Sequence, residues 1–181
     1  MAKIETKENL NRKIASARSS LLVMMIFTVV NMVMAVMDAG TYFLFSLSVP
    51  YYLTMLGMYM EGGIVGTYTV TGMVIGGAIL VVFLLCWLLS KKKTGWLTVA
   101  TVLMVLDSLA LAVFSFALYE NPAVNFMDFL FHFWILVTLS QAILAARKLK
   151  KLPAENTEDI DLSSFYGTAN TLGNDSDHMD F

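Results

Sequence analysis

Charge is scarce in this chain. Of its 181 residues only 14% are charged, against about 25% in a typical soluble domain. Hydrophobic residues make up 57%, and the mean hydropathy is +0.69. That balance identifies lipid as the solvent. Cysteine is scarcer still. A lone Cys86 excludes an intramolecular disulfide and a Cys-based metal site, and its apolar surroundings make it a small packing residue. Two histidines, His132 and His178, exclude a His-rich metal site. The glycines of residues 62–77 are not followed by Gly-Lys-Ser/Thr, so they form no phosphate-binding loop. Zinc-protease, nucleophile-elbow, catalytic-triad and paired-carboxylate patterns are also missing. The expectation is a protein that is not an enzyme, with no metal, no cofactor and no nucleic-acid partner.

Long apolar runs dominate what is there. They predict spans over about residues 20–38, 69–90, 96–118 and 122–146. Asn121 followed by Pro122 reads as an N-cap and first-turn proline for the last of these. Before the first span, residues 1–19 carry Lys3, Lys7, Arg12, Lys13 and Arg18, with Ile4, Leu10 and Ile14 near helical spacing. This reads as a basic surface helix at the headgroups. A basic flank before an apolar run also describes a signal peptide. The length of the run, and a VMDAG stretch without a small-x-small cleavage site, favour a span.

Residues 41–60 are long enough to cross but rich in Tyr and Phe, with Pro50 near the middle. The distribution of cations decides how they are read. If they do not cross, four spans place all 12 Lys and Arg residues on one side, together with both ends of the chain. If they do, the Lys91–Lys93 loop moves away from the N-terminal cluster. Cytoplasmic loops collect Lys and Arg, so the four-span reading needs no exception. Residues 41–60 become an outer segment that either lies flat or re-enters around Pro50. A re-entrant backbone must be covered by protein rather than lipid. The expected fold is an all-α four-transmembrane-helix bundle (residues 20–148) in the plasma membrane, with cytoplasmic termini. Residues 149–181 form a cytoplasmic tail. From 153 onward it holds seven acids and no Lys or Arg, the composition of a disordered segment that could dock a cytoplasmic partner.

Buried polar residues are the candidates for chemistry. Asp107 lies near the middle of the third span, where an isolated charge costs on the order of 3 kcal/mol. Asp107 lies 13 residues before Glu120 and His132 lies 12 after it, so an antiparallel hairpin puts them at similar depth. Such a pair could hold a proton and respond to pH, or could simply fix packing by hydrogen bonds. Asn31 and Gln141 read as interhelical glue, with Asn31 placed to join Asp107 and His132. Gly72-x-x-x-Gly76 permits close helix packing, within one chain or between copies. Tyr42, Phe43, Phe45, Tyr51, Tyr52 and Tyr59 read as an interfacial belt, or as a lid over an apolar ligand.

The stretch from Ala17 to Gly57 resembles a recurring pattern in small uncharacterised membrane proteins of Gram-positive bacteria. Ala17-Arg18-Ser19, Asn31, the run Tyr42-Phe43-Leu44-Phe45-Ser46, and Pro50-Tyr51-Tyr52 carry the likeness. It covers about a quarter of the chain and implies a bacterial plasma membrane, but no activity. Two functions are consistent with these features. One is a non-enzymatic accessory, scaffold or sensor subunit that works through a membrane-protein partner, a homo-oligomer or its acidic tail. The other is a small oligomeric transporter or channel with Asp107 and His132 as proton or ion residues.

Overall fold

The computed structural model describes residues 6–118 and 126–151. The expectations for the acidic tail and for the Asn121–Pro122 helix start lie outside the described residues. The chain divides into Met1–Leu149 and Lys150–Phe181, and the described residues of the first unit form five helices. In order they are α1 (Lys7–Val36), α2 (Ser48–Met60), α3 (Thr67–Leu89), α4 (Gly95–Leu118) and α5 (Phe126–Leu149). Four of them, all but α2, are long and apolar enough to cross a membrane. The protein is an integral membrane protein built on a four-transmembrane-helix bundle.

α1 corrects the reading of residues 1–19 as a separate surface helix. It is one helix of 30 residues, starting from a Thr6 side-chain cap on the Asn9 N–H. No Gly or Pro interrupts it, and its inward stripe runs without a break. Leu10, Ala17, Leu21, Met24, Thr28 and Asn31 are all buried at spacings of three, four or seven. At 1.5 Å per residue the helix is about 45 Å long, more than a bilayer core, so its basic first turns continue the span instead of folding away from it.

Arg18, the Lys91–Lys93 turn after α3, and Arg147 and Lys148 at the end of α5 mark one end of the bundle, here termed the basic end. Its core is apolar. Ala17, Leu21, Phe83, Cys86, Leu97, Ala100, Met104, Leu139 and Ala142 pack together with Leu47, which is fully buried.

The opposite end is filled differently. After α1 stops at Val36, residues 37–47 turn back along it into the bundle. Asn31 and then Thr28 hold Phe43 and Leu47 at successively greater depth. α2 starts there and runs back out for 13 residues, about 20 Å against the roughly 30 Å of a hydrocarbon core. Of the two readings of residues 41–60, the re-entrant one describes the chain: a descending loop and a rising half-helix. α3 then descends beside α2. Gly57, Gly72 and Gly76 make that contact close. A Cβ on Gly57 would sit 2.5 Å from the Tyr68 carbonyl oxygen, one on Gly72 would overlap the Leu53 carbonyl, and one on Gly76 would lie 3.1 Å from Pro50. The Gly72–Gly76 pair is therefore spent on packing inside one chain.

Candidate functional site

α2 begins where a helix cannot begin unaided. Its first N–H groups have no intrahelical partner, its N-cap residue is Leu47, and Leu47 offers no side-chain acceptor. No water fills the middle of an apolar bundle, so these donors need a protein acceptor. Asp107 of α4 supplies it. Its Oδ2 accepts the Ser48 N–H and its Oδ1 the Val49 N–H, each at 2.9 Å. The partial positive charge of the helix start and the carboxylate favour one another. The buried acid that stands out in the sequence thus caps from afar the start of a helix whose first residues lie 58 and 59 positions earlier.

His132 of α5 completes the arrangement. Its Nε2 lies 2.9 Å from Asp107 Oδ2 and 3.3 Å from Ser48 Oγ. Its Nδ1 lies 2.8 Å from the Asp128 carbonyl oxygen one turn earlier. Asp107 and His132 are each only 4% exposed. A carbonyl oxygen only accepts, so Nδ1 carries a hydrogen. Asp107 already accepts two N–H donors, and one hydrogen between Nε2 and Oδ2, on either atom, satisfies every contact. Without that hydrogen, a nitrogen lone pair and a carboxylate oxygen face each other at 2.9 Å.

A second layer surrounds this pair. The Tyr42 hydroxyl donates to Asp128 Oδ2 at 2.8 Å. Burial first, then the hydrogen bond and charge of Asp128, push the Tyr42 phenol well above its ordinary range, which keeps it a donor. Between Tyr42, Ser46, Ser48, Tyr52 and Asp128 lies a recess of about 10 Å³, room for roughly one water. Toward the basic end the pair is sealed. Met104 and Ile135, one turn away on α4 and α5, pack with Leu47 in the apolar core.

Asn31 does not join Asp107 and His132. Its amide accepts the Phe43 N–H at 2.6 Å, and donates to the Phe43 carbonyl at 2.6 Å and to Ser46 Oγ at 2.7 Å. Thr28 Oγ1 donates to the Met24 carbonyl and accepts the Leu47 N–H at 2.8 Å. Between these anchors Phe45 is held at φ 77°, a left-handed conformation that a bulky side chain rarely adopts. Its ring sits 5.4 Å from Phe131 and 5.6 Å from Trp134 of α5.

The aromatic residues do not form a flat belt. Phe43 stacks on Phe27 of α1, Tyr42 on Tyr51, and Tyr52 packs on Phe114 of α4. They bind the re-entrant segment to three spanning helices. Tyr59, 84% exposed, is the exception. Thr28, Ser46 and Ser48 carry no signal in the sequence. Hydroxyls in apolar runs are common, and only the returning loop gives these a partner.

Among the described residues no group of His, Cys, Asp and Glu is arranged to hold a metal ion. Comparison with protein-family models, with curated proteins and with solved structures gives no match. The geometry of the site therefore carries the functional reading.

Proposed function

We propose that the protein is a non-enzymatic accessory or sensor subunit of a bacterial plasma membrane. The re-entrant half-helix α2 is its moving part, and the Asp107–His132 pair is a latch held by a proton. In this reading both chain termini lie in the cytoplasm, which the one-sided placement of Lys and Arg supports. One observation carries this reading: the carboxylate that binds His132 is the same one that caps α2. Anything that changes the proton between Asp107 and His132 acts on the start of α2. Among the described residues, the titratable groups near the pair include Asp128, whose carbonyl holds Nδ1, Tyr42 on the Asp128 carboxylate, and Tyr51 and Tyr52, which line the recess beside Ser48.

Loss of the proton between Nε2 and Oδ2 sets two acceptors against each other and frees α2. The alternative, a transporter or channel with Asp107 and His132 on the path, fits the packing less well. Both Asp107 oxygens are occupied, and Leu47, Met104 and Ile135 close the basic side.

The test measures the distance from α2 to α4 by spin labels at Met55→Cys and Val113→Cys in a Cys86→Ser background. Both positions are exposed. In bilayers, raising pH from about 5 to about 9 is expected to shift or broaden the distance distribution. His132→Gln keeps a donor toward Asp107 without titrating and is expected to abolish the shift. A distribution that ignores pH in the unaltered pair would sink the latch. Proton-coupled flux in proteoliposomes that disappears in Asp107→Asn would favour transport instead.

A further inference from the structure

At the basic end, Arg18 of α1 projects into the bundle edge and lays its guanidinium on Trp87, with Cζ 5.5 Å from the ring centre. Lys91, in the turn after α3, places its Nζ 5.2 Å from the centre of the same ring. The turn is fixed. Ser90 is buried and donates from Oγ to the Trp87 carbonyl at 2.7 Å, and the Lys91 N–H bonds the Leu88 carbonyl. Two cations are thus held on one indole, a costly arrangement unless an anion accompanies them.

The described residues supply none. Among the described residues no carboxylate forms an ion pair with Arg18 or Lys91, and Arg18 Nε is the one buried side-chain polar atom left without a hydrogen-bond partner. The indole attracts both cations but cannot satisfy their N–H groups. Trp87 also lies near the end of a spanning helix, the depth at which tryptophan meets headgroups.

We propose that Arg18, Trp87 and Lys91 form a binding site for an anionic phosphate, supplied by a lipid headgroup. The guanidinium offers a planar pair of donors and the ammonium a mobile one, the combination suited to a phosphodiester. Trp87 keeps the two cations at a fixed spacing while the acyl chains run down the apolar surface of α3. The Asp107–His132 latch plays no part in this site.

Full-length protein with Trp96→Phe and Trp134→Phe, leaving Trp87 as the only tryptophan, reads the site by fluorescence quenching. Phosphatidylglycerol brominated near the headgroup end of its chains is compared with equally brominated phosphatidylcholine, each a minor component of phosphatidylcholine vesicles. The expected result is stronger quenching by the anionic lipid. The preference should be roughly fivefold per basic group, the scale of juxtamembrane Lys and Arg on anionic membranes. It should fall to parity in Arg18→Gln/Lys91→Gln and persist in Lys93→Gln, a control for bulk charge at the same turn. Inorganic phosphate at millimolar concentration is expected to leave the preference intact. If free phosphate abolishes it, the ligand is the soluble anion and the lipid assignment falls. Equal quenching by both lipids, or a preference that survives in the double variant, would overturn the site itself.

Discussion

Phe45 is where the re-entrant loop is most constrained. Its φ of 77° costs a side-chain-bearing residue about 1–2 kcal/mol relative to glycine. Asn31 and Thr28 fix the backbone on either side, and Phe131 and Trp134 hold the ring. Two truncations separate backbone strain from ring packing. Phe45→Ala and Phe45→Gly both lose the ring, but only glycine relieves the conformation. Phe45→Gly should therefore be the more stable by about 1 kcal/mol in detergent unfolding, the reverse of the usual order within a packed segment. Equal stabilities would mean that the loop relaxes once the ring is gone. At this scale the sequence was legible in part. Asp107 and His132 could be matched in depth because α4 and α5 are regular helices of known rise. The destination of Asn31 could not, because it depends on a loop that turns back on itself, and no periodicity describes such a loop.

Both helices of the α2–α3 pair lack a local cap and borrow one. α2 takes Asp107. α3, whose N-cap is Gly66, takes Glu61, which accepts the Tyr68 N–H at 2.9 Å, the Thr69 N–H at 3.2 Å and the Thr69 hydroxyl at 2.9 Å. Desolvation, the largest single influence, pushes the Glu61 carboxyl up, but the hydrogen bonds from Tyr68, Thr69 and the Gly66 backbone together outweigh it and leave it below the usual carboxylate range. A group with a lowered folded value stabilises the native state above its ordinary titration range, and that contribution is lost as pH falls through the lowered value. The amides of Tyr68 and Thr69 should accordingly be protected from hydrogen exchange at neutral pH and lose that protection in acid. In Glu61→Ala they should lack it throughout. Persistent protection in Glu61→Ala would show that the α3 start needs no carboxylate. The glycine contacts set a second expectation for this pair. Gly72→Leu must push α2 away from α3 and should cost about 1–3 kcal/mol, as overpacking does elsewhere. The same change at Gly77, which has nothing within 4 Å, should be tolerated. Hydropathy locates α3 to within two residues, because a long apolar run is its own signal. It cannot choose between flat and re-entrant for residues 41–60, because α2 is specified by groups supplied from α1, α4 and α5.

For the whole molecule the distribution of Lys and Arg separates two ends, and topology is the property to test. With Cys86→Ser as background, a cysteine at Ile64, exposed in the α2–α3 turn, should react with a membrane-impermeant maleimide on intact cells. One at Gly95, beside the lysine turn, should react only after permeabilisation. The opposite pattern would invert the orientation. The apolar stripe of α1 teaches a related lesson. Leu10, Ile14 and Ala17 stand at helical spacing in the sequence, yet the surrounding charges favour a surface helix. The stripe continues unbroken into the span and decides the matter in favour of one long helix.

The borrowed cap on α2 also has a consequence for how the chain is made. Ser48 and Val49 leave the ribosome long before Asp107, which follows them by 59 and 58 residues, and His132 comes 84 after Ser48. Until the last two spanning helices arrive, the start of α2 has no acceptor and no reason to enter the hydrocarbon. The re-entrant segment is thus the last part of the bundle to seat, although it is among the first to be synthesised.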